Sequence, residues 1–391
     1  MRHLVFGNPN SRRAKQWQQT CLLPYNRQAC LLRNGGQAIH NASFELISYQ
    51  EVANGQFPKL NKPTTVRITS PGEDFETFQL LVGLGGYPAA TALLEERGRI
   101  LLHEYWYQGW CLILDKIDQF LKENPLAKVM NHPETIKLAF HKANCQEKLR
   151  KAGIPIPDIY CCQLNSFEQL LEVMDKQKLH QVFLKPAHSS SASGVMMFRR
   201  TANKMMLEST IFLNKKGREA KLFNHKRLQR YQNQETIKTI IDLMIPNRLH
   251  IEQWINKKQF QGKSTDFRVV TINQQPVFVQ PRHSNHPITN LHLGNEKGSL
   301  QNLQIEWGKD LIKKVKTIAI QTAKQLDGLF YAGIDIAINT KGEPYVLEVN
   351  AFGDFLKEIF ADKKNTYEYE LLIWNQQHKQ YDQHFNSTQL C

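Results

Sequence analysis

Three oxygen-bearing side chains, Asp335, Glu348 and Asn350, interrupt two apolar runs, Gly333-Ile334-Asp335-Ile336-Ala337-Ile338 and Tyr345-Val346-Leu347-Glu348-Val349-Asn350. The segment between them, Asn339-Thr340-Lys341-Gly342-Glu343-Pro344, has turn chemistry, so the runs read as a β-hairpin. With the turn centred on Lys341-Gly342, antiparallel pairing sets Asp335 opposite Glu348, and the two-residue pleat puts Asn350 on the face of Glu348. Two carboxylates facing each other between apolar strands repel or share a proton unless a cation lies between them. Hard oxygen donors select Mg²⁺, with Mn²⁺ as the nearest substitute. The plainer alternative is a strand with one hydrogen-bonded acid and a solvent-exposed partner.

A second group of residues suits phosphate. Lys185 ends the apolar run Val182-Phe183-Leu184 and leads into a loop of small residues that includes Ser189, Ser190, Ser191, Ser193 and Gly194. An ammonium beside backbone amides and hydroxyls matches the spread negative charge of a triphosphate, although a serine-rich surface loop has the same composition. Gly262-Lys263-Ser264 resembles the end of a Walker loop, but Lys257 stands where that motif requires glycine, which excludes it. Gly83-Leu84-Gly85-Gly86 fits no dinucleotide fingerprint and reads as a turn that starts a helix over 89–121. His283, His286 and His292 are irregularly spaced with no cysteine nearby, which suits substrate-loop or surface histidines better than zinc.

The elements that must position these groups follow an α+β order. Residues 2–6 read as a strand running into the loop Gly7-Asn8-Pro9-Asn10-Ser11, the opening of a small Rossmann-like α/β domain over 1–125. Lys122-Glu123-Asn124-Pro125 is the connector to a second domain over 126–360. There a helix over 133–151 stops at Gly153-Ile154-Pro155-Ile156-Pro157. A strand, a helix over 166–176, and strands over 181–185 and 194–199 follow, then an insertion with a helix reaching 243 and a strand over 250–255. Strands over 267–272 and 276–280, a loop to 298 and a helix over 307–326 lead to the hairpin. Residues 361–391 are polar and read as a surface appendage.

Taken in order, Lys142 before Gly153-Ile154-Pro155, Lys185-Pro186 with its serine loop, Glu252-Gln253-Trp254-Ile255, Asp266-Phe267-Arg268, Thr289-Asn290-Leu291-His292-Leu293-Gly294, Asp335 and Glu348-Val349-Asn350 resemble an ATP-grasp enzyme over about 126–355. Within that superfamily the blocks are most similar to RimK-type carboxylate-amine ligases. The stretch 224–231 and the ending Glu348 to Asp354 also resemble a less characterised bacterial ATP-grasp group. The resemblance implies an ATP-grasp fold, two α+β subdomains gripping ATP, with a preceding Rossmann-like domain. It implies that Lys142, Lys185, Ser190, Ser191 and Gly194 meet the phosphates and that a hinge at Glu252 to Ile255 holds adenine. By the same likeness Asp266 meets the ribose, Asn290 lies near the γ-phosphate, and Arg268 and Arg282 face phosphate or acyl-phosphate oxygens. Asp335, Glu348 and Asn350 are then the Mg²⁺ ligands. The implied reaction is ATP-dependent amide or peptide bond formation from a carboxylate, which a peptide could carry, and an amine, through an acyl phosphate. Phosphoryl transfer without an amine is the alternative on the same fold. His141 stands where the family has an acid, serines replace its glycine-rich flap, and Ala351-Phe352-Gly353 replaces the usual continuation after Asn350.

With 391 residues and 41% hydrophobic content the chain can bury a substantial core. No apolar run reaches the roughly 18 to 20 residues of a membrane span, and no long apolar stretch marks a secretory leader, so a cytoplasmic protein without a membrane partner is expected. Seven scattered cysteines without zinc spacing read as reduced thiols. A net charge of +14 attracts polyanions, and residues 215–230 are densely basic. A solvated face accounts for that stretch, and a nucleic-acid-binding protein without ligase activity is the rival from another class. Enzymes of the resembled superfamily are commonly dimers or tetramers, which implies a homo-oligomer.

Overall fold

A computed structural model describes residues 2–22, 43–72, 74–189, 192–217, 219–353, 355–356 and 358–388. The first unit is built from β1 (Arg2–Phe6), α1 (Arg12–Cys21), β2 (Ser43–Ile47), α2 (Tyr49–Ala53), β3 (Thr64–Ile68), α3 (Phe75–Leu84), α4 (His103–Glu123) and β4 (Ala127–Val129). Its strands pair in parallel in the order β2-β1-β3-β4. Leu4, Val5, Phe6, Val66 and Ile68 are all buried, the unbroken apolar pattern of a parallel sheet covered on both faces. The expected Rossmann-like start is therefore present. The glycine run is not a helix start, however: Gly85 caps the C-terminal end of α3, and α4 begins only at His103.

Two antiparallel sheets follow. The chain passes through α5 (Pro133–Phe140), α6 (Lys142–Lys151), β5 (Ile159–Cys161), α7 (Phe167–Lys176), β6 (Gln181–Pro186), β7 (Met196–Arg200), β8 (Met205–Lys216), β9 (Glu219–Tyr231), α8 (Gln234–Met244) and β10 (Leu249–Gln253). Strand order is β5-β10-β6-β7-β8-β9, and α7 and α8 bury Phe167, Leu170, Ile237 and Ile241 in one core with Leu184 and Phe198 of the sheet. The third sheet uses β11 (Gln259–Phe260), β12 (Lys263–Ile272), β13 (Gln275–Ser284), β14 (Glu296–Lys297), β15 (Tyr331–Ile338) and β16 (Pro344–Asn350), in the order β14-β13-β12-β15-β16 with β11 on β12. Helices α9 (Leu300–Trp307) and α10 (Lys309–Gln325) precede the β15–β16 hairpin, and α11 (Thr366–Thr388) ends the described chain.

Four sequence expectations change. The single helix over 133–151 is two helices, because His141 leaves the helical region at φ −89°, ψ 89° and restarts the chain with Lys142 in the first turn of α6. Similarly, Gly308 at φ 85° separates α9 from α10, so Trp307 ends one helix and Lys309 begins the next. The insertion before α8 is a long hairpin, β8 with β9, which carries the basic stretch; Arg218 of that stretch lies outside the described residues. The polar tail is no surface appendage at its start: Tyr367, Glu370, Leu371 and Trp374 are buried, and Glu370 accepts from Arg67 of β3 at 2.6 Å. Among the described residues no helix is long and apolar enough to cross a membrane. Cys111, Cys145, Cys161 and Cys162 are free thiols, while Cys30 and Cys391 lie outside the described residues.

Candidate active site

The hairpin delivers the pairing its sequence requires. Asp335 on β15 lies directly across from Glu348 on β16, and Gly333 across from Asn350. The register shifts between Asp335 and Ile336, a bulge that leaves Leu347 as the extra residue and bends the strand just beside the acids. Arg268, cross-strand from Asp335 on the other side, donates Nε at 2.6 Å and Nη2 at 3.1 Å to its two oxygens. Arg282 adds a third contact at 3.3 Å. Glu348 accepts from the ammonium of Lys142 at 3.3 Å, and Asn350 donates its amide to the Gly333 carbonyl at 3.4 Å. Gly353 packs closely here: a Cβ on it would stand 2.8 Å from the Gly333 Cα and 2.5 Å from Nη1 of Arg268, so a side chain would crowd the backbone of β15 and the guanidinium together. Among the described residues no three His, Cys, Asp or Glu stand together as a metal cluster. The donor set is two carboxylates and one amide, hard oxygens suited to Mg²⁺, and two guanidinium groups and an ammonium rest on the carboxylates as stand-in cations.

The two lysines come from separate segments. Lys142 enters from the helix break at His141; its backbone N–H donates to the Ala187 carbonyl at 3.2 Å and its ammonium to the Ser189 carbonyl. Lys185 lies on β6 and pairs with the buried Glu252 of β10, which also meets His250 at 3.3 Å and Gln146 at 3.2 Å. Burial opposes ionisation of Glu252, but Lys185 and His250 outweigh it and hold the carboxyl at about 2. Ser190 and Ser191 lie outside the described residues. Gly194, at φ +71°, seats the returning loop: a Cβ there would lie 2.7 Å from Met244.

Between the second and third sheets runs a cleft lined by Phe183, Lys185, Glu252, Gln253 and Ile255 on one side and Asp266, Arg282, Asn290, Asp335 and Glu348 on the other. Trp254 faces a neighbouring groove with Asn256 and Arg199, its ring 4.9 Å from Phe183 and capped by the Arg199 guanidinium at 4.7 Å. Asp266 was expected to offer its oxygens to ribose, yet both are engaged within the protein. One accepts from Arg282 Nε at 2.7 Å; the other meets Lys257 at 2.9 Å and the Thr289 hydroxyl. In this geometry Asp266 anchors three cleft residues, and its carboxyl is held well below the usual range, Arg282 and Lys257 outweighing burial. Asn290 lines the cleft and caps a short turn by accepting from the His292 N–H at 2.9 Å.

Sequence reading missed Lys257, Thr289 and Gln146. The only sign of Lys257 was its failure to match a glycine motif; its burial and its bond to Thr289 at 2.9 Å depend on segments 9 and 32 residues away. His283, grouped with loop histidines by sequence, is a strand residue stacked on Phe260 with ring centroids 5.0 Å apart and bonded to Thr265 at 2.8 Å.

Several solved structures share this architecture. The ATP-grasp ligase PsnB complexed with minimal precursor aligns with a TM-score of 0.51 at 14% identity, covering 96% of this chain and 98% of that one. The D-cycloserine synthetase DcsG aligns at 0.53 with 11% identity over 95% and 99%. D-alanine–D-alanine ligase from Bacillus anthracis complexed with ATP aligns at 0.50 with 14% identity over 96% of each chain. At these identities the likeness is one of fold, and it shows the ATP-grasp fold expected from the order of the blocks. No curated protein matches the chain in sequence. Residues 137–375, more than half the chain, match the family model described as YheC/D like ATP-grasp, and the chain belongs to that family.

Proposed function

We propose that this chain is an ATP-dependent ligase that joins a carboxylate to an amine through an acyl phosphate, with Mg²⁺ held by Asp335, Glu348 and Asn350. The observation that carries the reading is the convergence of Asp335, Glu348, Lys185 and Arg282 on one cleft between two antiparallel sheets, with the Lys142 ammonium bonded to Glu348 from a fifth segment. The RimK-like order of the blocks supports the acid-plus-amine chemistry, and a peptide is among the acceptor classes that this reading allows. Bound there, the metal would neutralise phosphate charge, and Mn²⁺ would substitute for it. Lys142 and Lys185 place ammonium charge where the phosphates of ATP would lie. The Arg282 guanidinium, fixed by Asp266, supplies a pre-oriented donor toward the oxygens that gain charge as phosphate leaves. A carboxylate is a poor electrophile at neutral pH; phosphorylation gives it a leaving group, and positioning of the amine supplies much of the remaining rate. No protein nucleophile is needed.

The test is product analysis with purified protein and pools of acids and amines. ADP release should require both an acid and an amine, stop with EDTA and return with excess Mg²⁺. Lys185→Ala and Glu348→Gln should each lower turnover by about 100-fold or more. Phosphate retained on the acceptor with no amine needed would replace ligation by phosphoryl transfer, and full turnover in Glu348→Gln would remove the metal assignment. RNA binding without any nucleotide turnover would support the non-enzymatic reading instead.

A further inference from the structure

The His188 imidazole is fully buried, although it lies outside the cleft and no step above uses it. Its ring stacks on Tyr107 of α4 with centroids 3.7 Å apart and planes 7° apart, and the His141 ring meets it edge-on at 4.8 Å. Its Nε2 contacts Glu104 at 3.1 Å, and the same Glu104 oxygen meets Arg248 Nε at 3.4 Å. Both Glu104 and Tyr107 belong to α4, the long helix of the first unit, whereas His188 follows β6 of the second sheet. The backbone on either side of His188 is the part of the protein that holds Lys142. Ala187 accepts from the Lys142 N–H at 3.2 Å and donates to the Arg248 carbonyl at 3.0 Å, and Ser189 accepts from the Lys142 ammonium.

We infer that the docking of His188 onto Glu104 and Tyr107 is a positioning device for Lys142, by which the first unit sets where that ammonium stands relative to Glu348. Three consecutive residues act together: the middle one is gripped by α4, and its two neighbours hold the lysine, one at its backbone N–H and the other at its ammonium. Histidine suits the task because one flat ring supplies both the stacking face for Tyr107 and the nitrogen for Glu104; a phenylalanine would keep the first and lose the second. The inference rests on the reading of Lys142 as a nucleotide-phosphate group, and the experiment separates the two.

Affinity for MgATP is measured by calorimetry for the full chain, Lys142→Ala, His188→Ala and the double variant, with thermal melts to confirm folding. His188→Ala should weaken MgATP about tenfold. The double variant should be no weaker than Lys142→Ala alone, because the histidine acts through the lysine, and His188→Phe should fall between His188→Ala and the parent. Additive losses, or parental affinity in His188→Ala, would overturn the inference while leaving the proposed function standing. Parental affinity in Lys142→Ala would remove the phosphate role of the lysine and this inference with it. If His188→Ala fails to fold, Glu104→Gln replaces it in the same cycle; that side chain is partly exposed, and the same non-additivity with Lys142→Ala is expected.

Discussion

Asp266 shows what a single buried charge can organise. Its two oxygens hold Arg282, Lys257 and Thr289, and Arg282 reaches on to Asp335, so one carboxylate links the segment after β10, the loop at 289 and the hairpin. Removing one member of a buried ion group costs far more than the group contributes net, because the partners are left charged and dry. Asp266→Ala leaves Lys257 without a carboxylate and Arg282 with only its longer contact to Asp335, and should cost about 3–5 kcal/mol. Lys257→Met leaves Asp266 its arginine and hydroxyl partners and fills similar volume, so its cost should be clearly smaller. Urea unfolding midpoints decide this: equal losses in the two variants would show that Asp266 is not the anchor. The facing acids of the hairpin were legible in the sequence because alternation and a turn fix their geometry locally. Lys257 was not, since nothing within a few residues of it reports that Asp266 and Thr289 will close over its ammonium.

At the scale of elements, α3 and α4 cross through glycine. A Cβ on Gly85 would stand 1.9 Å from the Tyr105 carbonyl oxygen, and one on Gly109 1.8 Å from that of Leu81, so backbone meets backbone from both sides. Gly109→Ala should force the helices apart and cost on the order of 1–3 kcal/mol, as overpacking a close contact does. It should also loosen the Glu104 and Tyr107 grip on His188, one turn away on the same helix. A thermal melt unchanged from the parent would contradict this. Sequence reading placed the glycine run at a turn but on the wrong end of a helix, because glycine marks both turns and close approaches. Strands of the two antiparallel sheets were legible as short runs of apolar and β-branched residues, as at 181–185 and 267–272. The β8–β9 hairpin was not: its strands mix Lys, Arg, Asn and Gln with apolar residues, and the charged positions hid the period. His141 breaks a helix that sequence joins, since it interrupts an apolar periodicity that continues on both sides, and Gly308 sets the expected helix over 307–326 apart from α9, which sequence left unassigned.

Across the whole molecule, the polar C-terminal segment is tied into the first sheet by the Arg67–Glu370 pair, with the Arg67 guanidinium 4.1 Å from the Trp17 ring and 4.2 Å from that of Tyr331. Composition could not show this, because the residues that α11 buries are tyrosine, tryptophan and an acid as well as leucine. A second global property follows from the histidines around α4. Burial, with the charge of nearby His188, lowers both His103 and His141 from 6.5 to about 4. Between those values the unfolded chain takes up protons that the folded chain refuses, so stability falls as pH falls through that window. For the half-buried His103 alone the loss is on the order of 1–3 kcal/mol, since partial exposure screens part of the effect. Glu104, held at about 2 chiefly by its bond to His188, and Glu252, held at about 2 by Lys185 and His250 against burial, extend the loss from 4.5 downward, because their folded-state charge must then be neutralised. Urea midpoints should therefore drop steadily from pH 7 to pH 4, with His103→Asn flattening the upper part of the curve. A midpoint unchanged between pH 6.5 and pH 4.5 would mean that these imidazoles are not buried as neutral groups, and that the packing of α4 against the Lys142 segment is looser than the geometry shows.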